Sequence, residues 1–283
     1  MKRFWALLGL LLMLFSSAMG EVYSQQPREN WYQCPLLRVT FLDMERSDAI
    51  LLTCGGETML VDGGSDPYRV YLREQLEKRG ITHLNYMLIT HDHDDHISGL
   101  IRLLKWGITP DELLCPYREG VEKNSTLLAS CLKAAEKADV TVRRVSGGEE
   151  ILLGEGVITL FRDEEGNTGN ARSMLCRVVF GSASLLLTAD IPGTSQVRLA
   201  KSCPELLKCD IIKAPHHGVT AMNSTFFQTA SPQWVVITSN SERVNPSALY
   251  QAEQNGVPWS LSGDGTVVCE TDGEDWYVYQ LEE

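Results

Sequence analysis

Thr90-His91-Asp92-His93-Asp94-Asp95-His96 is the stretch on which the reading of this 283-residue chain turns. Three of the six histidines fall in it, interleaved with three aspartates. Two more stand together at His216-His217, and only His83 is isolated. Imidazole nitrogen and carboxylate oxygen are the donors that suit zinc, manganese or iron. A density of donors this high is uncommon on a solvated surface, so the stretch predicts a binuclear metal hydrolase.

The flanking residues supply the context. Asn85 to Thr90 reads as a buried strand that delivers the histidines at its C-terminal end. Ile97 to Trp106 reads as a helix, with Ile97, Leu100, Ile101 and Leu104 on one face. Upstream, Leu36 to Leu42 has strand character. Ala49 to Thr53 and Thr58 to Val61 form a hairpin signal around Cys54-Gly55-Gly56-Glu57, and its second run ends at Asp62. A helix follows from Tyr68 to Arg79. Downstream come a short strand near Leu113-Leu114, a helix from Thr126 to Lys137, and strands at Val140 to Val145, Glu150 to Leu153 and Val157 to Phe161.

The second half repeats the first in outline. Met174 to Val179 and Ala183 to Thr188 form another hairpin signal, ending at Asp190. Ser195 to Ala200 is helical in pattern, and Cys209 to Ala214 is a buried strand delivering His216-His217. The order hairpin, Asp, helix, strand, histidine cluster therefore occurs twice, a duplication of architecture rather than of letters. Strand ends are where open α/β sheets place functional groups. The repeat predicts that Asp62 and Asp190 lie near the histidines, facing each other across two halves. Asp43 and Asp48 read as turn residues, and His83 as ordinary surface. A strand at Trp234 to Thr238, a helix near Ala248 to Gln254 and a closing hairpin of Thr266 to Glu270 with Trp276 to Tyr279 complete one α/β domain over 36–283, after an extension at 21–35.

The first twenty residues read as a cleavable signal peptide. Lys2 and Arg3 precede an apolar run from Phe4 to Phe15, and Ala18-Met19-Gly20 offers small residues before a cut. The run is short for a membrane span, which needs about 20 residues. The expectation is a secreted or extracytoplasmic protein with no stable span after cleavage. The formal charge is −12, and −14 without Lys2 and Arg3. Such acidity argues against a broad basic surface for nonspecific nucleic-acid binding, though bound metal would add local positive charge. The eight cysteines form no CxxC pair and avoid the histidine clusters, so each reads as a disulfide partner or a small buried residue.

His91-x-His93-x-Asp95-His96 matches the HxHxDH signature of the metallo-β-lactamase fold, and Asp62, Asp190 and His216-His217 follow in that family's order. The resemblance implies a four-layer αββα architecture, with two sheets between helices. Within the superfamily the chain looks most like the hydrolase domain of ComEC-type DNA-uptake proteins. Asp43 to Ala49 resembles their DVGQGDA segment, Asn170 to Ser173 their NxxS, Leu185 to Ile191 their LLxTGDI, and Lys213 to Gly218 their KxxHHG. Departures are Glu45-Arg46-Ser47 for Gly-Gln-Gly, Ala189 for the Gly of TGD, Val219 after HHG, and Asn245-Pro246 for a late His-Pro. The membrane channel of those proteins is not part of this sequence, so the resemblance is to a stand-alone, exported form.

The resemblance implies two divalent metal ions, zinc or manganese. His91 and His93 would hold the first. Asp95, His96 and His216 would hold the second, and Asp190 would bridge both. Asn170, at the place of a third histidine, would be a weak ligand or a hydrogen-bond partner. Asp95 would orient or deprotonate a bridging hydroxide, His217 would contact the substrate or leaving group, and Asp62 would fix a ligating histidine. Three function classes follow. One is a phosphodiesterase or nuclease, acting on single-stranded DNA or another phosphodiester. The second is a hydrolase of a small-molecule lactone, thioester or β-lactam. The third is a degenerate metal-binding protein with little turnover.

Overall fold

The computed structural model describes residues 21–25, 31–33, 36–120, 124–167 and 169–281. The expected signal peptide, 1–20, lies outside the described residues. The first sheet is built from β1 (Val22–Tyr23), β2 (Leu37–Phe41), β3 (Ile50–Cys54), β4 (Glu57–Val61), β5 (His83–Leu88), β6 (Thr109–Cys115) and β7 (Thr141–Arg144). The second contains β8 (Glu150–Leu153), β9 (Gly156–Phe161), β10 (Leu175–Phe180), β11 (Ala183–Leu187), β12 (Ile211–Lys213), β13 (Trp234–Ile237) and β14 (Trp259–Leu261). The last two strands, β15 (Val267–Thr271) and β16 (Trp276–Gln280), return to the first sheet. Its order is β1-β16-β15-β2-β3-β4-β5-β6-β7, and the second runs β14-β13-β12-β11-β10-β9-β8.

Side-chain alternation divides the interior into three cores. Leu37, Val39, Phe41, Ile50, Leu52 and Cys54 point inward to meet Ile158, Cys176, Val178, Leu185 and Leu187 of the other sheet. The opposite pleat of the first sheet, including Leu51, Leu60 and Met87, packs under α1 (Arg69–Lys78), α2 (Asp94–Lys105) and α3 (Thr126–Lys137). The opposite pleat of the second, including Leu175, Leu186, Ile212 and Val235, packs under helices that follow it in the chain. These are α4 (Gly193–Ser202), α5 (Pro204–Leu207), α6 (Ser224–Ala230) and α7 (Pro246–Asn255). Period-two strands with both faces apolar demand cover on both sides, and the αββα layering supplies it.

The expected duplication is present in the topology. Along β2 to β7 the pairings run antiparallel, antiparallel, parallel, parallel, parallel. Along β9 to β14 they run in the same sequence. Asp62 follows β4 and Asp190 follows β11, the corresponding strand of the other half. Each strand end needs a left-handed residue to turn the chain: Asp62 itself has φ 57° and Ala189 has φ 43°. A glycine would take that conformation without strain, so Ala189 holds it at a cost set by its Cβ.

Three local expectations change. The helix predicted from Ile97 begins at Asp94, so Asp95 and His96 form its first turn rather than a loop. The helices α5 and α6 and the strand β14 add to the elements legible in the sequence. Seven cysteines among the described residues carry free thiols, and all but Cys203 are buried. Six of them, Cys203 excepted, fit the small-buried-residue reading, and Cys34 lies outside the described residues.

Candidate metal centre

β5 ends at Leu88, and the chain runs through Thr90 to His93 before entering α2. The loop after β4 docks on that helix. Gly63 N–H donates to His96 O at 2.7 Å and Gly99 N–H donates to Gly64 O at 3.0 Å. No side chain fits between them, because a Cβ on Gly99 would stand 1.8 Å from Gly63 O. This contact fixes the first turn of α2 against Asp62. On the other half, the turn after β12 is folded by three consecutive left-handed residues, His216 (φ 52°), His217 (φ 50°) and Gly218 (φ 69°). It is tied to the strand-end turn of β11 by His216 N–H donating to Ala189 O at 2.9 Å.

The two halves meet at Asp190. Its Oδ2 lies 3.2 Å from His96 Nε2, 3.4 Å from His217 Nε2, 3.6 Å from His216 Nε2 and 3.8 Å from His91 Nε2. Four imidazole edges thus converge on one buried carboxylate oxygen. Neither Asp190 oxygen has a hydrogen-bond partner among the described residues, and neither has His91 Nε2. Buried polar atoms without partners are costly unless something else occupies them.

The far edges of three of these rings are anchored. His96 Nδ1 lies 2.7 Å from Asp62 Oδ2, and Asp62 also accepts from Thr90 N–H at 2.9 Å and Thr90 Oγ1 at 2.5 Å. The ring of His96 therefore sits between Asp62 and Asp190. His217 Nδ1 lies 3.1 Å from Asp48 Oδ1 and 3.0 Å from Thr238 Oγ1. His91 Nδ1 lies 3.1 Å from Thr90 Oγ1, whose proton is already given to Asp62. Acceptors at Nδ1 keep the proton there and leave the Nε2 lone pair facing the centre, the arrangement of ligating histidines.

Charges follow from this packing. Burial pushes His91 and His216 down, toward the neutral form. Burial also opposes protonation of His217, but Asp190 and Asp48 outweigh it and lift the group to about 10. His96 is raised for the same reason by Asp190 and Asp62. Burial would raise the Asp95 carboxyl, yet the hydrogen bond from His217 and the charges of His96 and His217 hold it at about 2.

The sequence-predicted residues are distributed as follows. His91, His96, Asp190 and Asp62 are buried together, and Asp95 Oδ2 lies 3.4 Å from His217 Nε2. His93 is exposed, with its ring centroid 4.6 Å from that of His91. Asn170 opens the turn Asn170–Arg172, and its Oδ1 is buried without a partner. Gly169 beside it would place a Cβ 2.8 Å from His93 Nε2. His217 is fully buried and anchored, whereas the His216 side chain is one-third exposed at the opening. Of the pair, His216, expected as the metal ligand, is thus the more exposed, and His217, expected to contact substrate, is the more buried. His83 is on the surface, paired with Asp111.

Two buried residues escaped the sequence reading. Asp48, read there as a turn residue, and Lys213 form an ion pair at 2.5 Å, and Lys213 also donates to Ala189 O at 3.0 Å. Asp48 belongs to a cluster with His96, Asp190 and His217 whose ligand atoms all lie within 4.8 Å. Both its oxygens are taken, by Thr238 and His217 on one side and Lys213 on the other. Asp48 therefore orients His217 as Asp62 orients His96, and the free donors point instead to Asp190. The orphaned atoms and imidazole Nε2 lone pairs fit divalent metal.

The sequence profile of the metallo-beta-lactamase superfamily matches residues 43–218, more than half of the chain, and the chain belongs to that superfamily. It is 30% identical over 139 residues to Ribonuclease Z of Archaeoglobus fulgidus, a match spanning 46% of this chain and 44% of that protein. Among solved structures it is similar to the metallo-beta-lactamase fold protein YhfI from Bacillus subtilis, with a TM-score of 0.59 at 15% identity, covering 84% of this chain and 100% of that one. A diphosphatase of the PhnP family is similar at a TM-score of 0.50 and 20% identity, over 83% of this chain and 98% of the other. These structural likenesses speak to the fold.

Proposed function

We propose that this chain is a metal-dependent phosphodiesterase or nuclease with a binuclear centre. The observation that carries the metal reading is the convergence of four imidazole Nε2 atoms on the Asp190 carboxylate, which has no hydrogen-bond partner among the described residues. His91 and His93, with Asn170 beside them, would hold one ion. Asp95, His96 and His217 would hold the other, with Asp190 between the two and His216 at the opening. Such ions polarise a phosphoryl oxygen and lower the pKa of a bound water. Asp95 is ionised at neutral pH and partly exposed, so its free oxygen can accept a hydrogen bond from an attacking water and hold it in line. His216, neutral and at the opening, can contact the leaving group.

Two features favour phosphodiesters over lactones, thioesters or β-lactams. One is the likeness to Ribonuclease Z, and the other is Asn170 where the resemblance places a third histidine. The ComEC-like motifs and the signal-like first twenty residues support an exported, DNA-directed enzyme. Purified protein should carry close to two metal ions per chain by mass spectrometry, and the same instrument should find the mature chain starting at Glu21. With Mn²⁺ or Zn²⁺ it should cleave single-stranded DNA and bis-p-nitrophenyl phosphate and leave nitrocefin intact. His93→Ala and Asp190→Ala should each lower that rate by about 10²-fold or more, since each would remove a metal donor. Metal near zero, or a rate untouched by both substitutions, would defeat the reading.

A further inference from the structure

A cavity of about 310 Å³ lies beside the histidine loop, lined by Pro116 to Arg118, by Arg162, Asp163, Glu164 and Gly166, and by Arg172. Both of its walls touch the loop. The Tyr117 hydroxyl donates to Asp92 Oδ1 at 2.9 Å and accepts from Asp92 N–H at 3.1 Å, between His91 and His93. On the other side Arg172 closes the turn that begins at Asn170, next to Gly169 and its close approach to His93.

Its charge is unbalanced in a chain whose formal charge is −12. Three arginines line it against two carboxylates, and both carboxylates are spoken for. Asp163 is bound by Ser195 Oγ at 2.6 Å and by Arg198. Glu164 accepts from Arg162 Nε at 3.1 Å, while Arg162 also donates to Pro116 O. Arg118 and Arg172 have no carboxylate partner among the described residues. Among the described residues the Arg172 side chain makes one hydrogen bond, a long one of 3.4 Å from Nε to Gly166 O. Two exposed guanidinium groups without carboxylate partners, lining one cavity beside the histidine loop, suit an anion.

We infer that this cavity is a phosphate subsite, in which Arg118 and Arg172 hold a backbone phosphate of a single-stranded oligonucleotide flanking the phosphodiester at the metal centre. The inference rests on the phosphodiester reading and narrows it. The substrate is a strand with at least two phosphates, rather than an isolated diester. Arginine at this place also reconciles an acidic protein with a polyanionic substrate, since the positive charge is confined to where the strand passes.

The test uses the full metal-loaded protein and a phosphorothioate-linked single-stranded DNA hexamer as a slowly cleaved probe. The wild type should bind it with a log-affinity against log-salt slope that falls by about 0.7 for each arginine removed, as counterion release from single strands requires. Arg118→Ala with Arg172→Ala should weaken binding by about tenfold or more and raise KM on the unmodified hexamer to match. The rate on bis-p-nitrophenyl phosphate, which carries one phosphate, and the melting temperature should not move. Lysine at both positions should restore part of the salt slope. Four outcomes separate the possibilities. A slope unchanged in the double variant overturns the subsite, as does an equal loss on both substrates. Equally tight, arginine-dependent binding of a hexaglutamate peptide also overturns it, because the site would then be a general anion receptor. Arginine-dependent DNA binding without hydrolysis of either substrate supports the subsite while defeating the phosphodiesterase reading.

Discussion

At the residue scale, Asp48 separates what is local from what is not. The histidine stretch is legible because its donors are neighbours in the chain and need only one strand and one helix to converge. Asp48 precedes β3, yet its partners are Lys213, His217 and Thr238, brought from the other half of the molecule. No spacing in the sequence encodes that meeting. It does the same work for His217 that Asp62 does for His96, and Asp62 could be read because both the duplication and the family's motif order pointed to it. Asp48→Asn keeps the shape and removes the charge. It should lower metal affinity by about 10- to 100-fold, the usual cost of losing a partner behind a ligating histidine. Titration calorimetry on metal-free protein reads this directly, and an unchanged dissociation constant would show that Lys213 and Thr238 suffice to hold the ring.

At the scale of elements, strands were read closely and helix starts less so. Alternating apolar residues in β2, β3, β10 and β11 announce themselves because each pleat faces a different core. The start of α2 did not, because Asp94, Asp95 and His96 look like a polar loop until the Gly63–Gly99 contact fixes the turn. The α6 helix had a signal in Asn223, whose side chain accepts from Thr225 and Phe226 N–H. The β14 strand, three residues long, is too short for a period to register. The close glycine contact carries its own prediction. Gly99→Ala puts a methyl against backbone that cannot give way and against Leu72. Urea unfolding should show a loss of about 3 kcal/mol or more, with metal content falling alongside. Retention of both would mean that α2 can slide relative to the loop after β4.

At the scale of the whole molecule, the layering was expected from the resemblance to the metallo-β-lactamase fold, and its physical reason is that two doubly apolar sheets need helices outside and each other inside. The site inherits its electrostatics from that burial. In the metal-free protein the folded pKa of His217, about 10, stands above its unfolded value of about 6.5. The stability this adds is fully present below pH 6.5 and is lost as pH rises toward 10. Metal binding requires the neutral ring and so releases the proton, and the stabilisation by metal should grow over the same window. Melting temperatures taken with and without Mn²⁺ at several pH values from 6.5 to 9.5 should therefore diverge. Parallel curves would refute the protonated state of His217.

The seating of Asp190 between the two halves also sets a timetable. A chain emerging from the ribosome displays His91, His93 and His96 long before Asp190, His217 and Thr238 exist to complete their surroundings. The early histidines alone offer a loose and incomplete chelate, and the first half cannot keep an ion to itself. On the proposed metal reading, metal acquisition would therefore come late in the maturation of this protein, after the second half has folded.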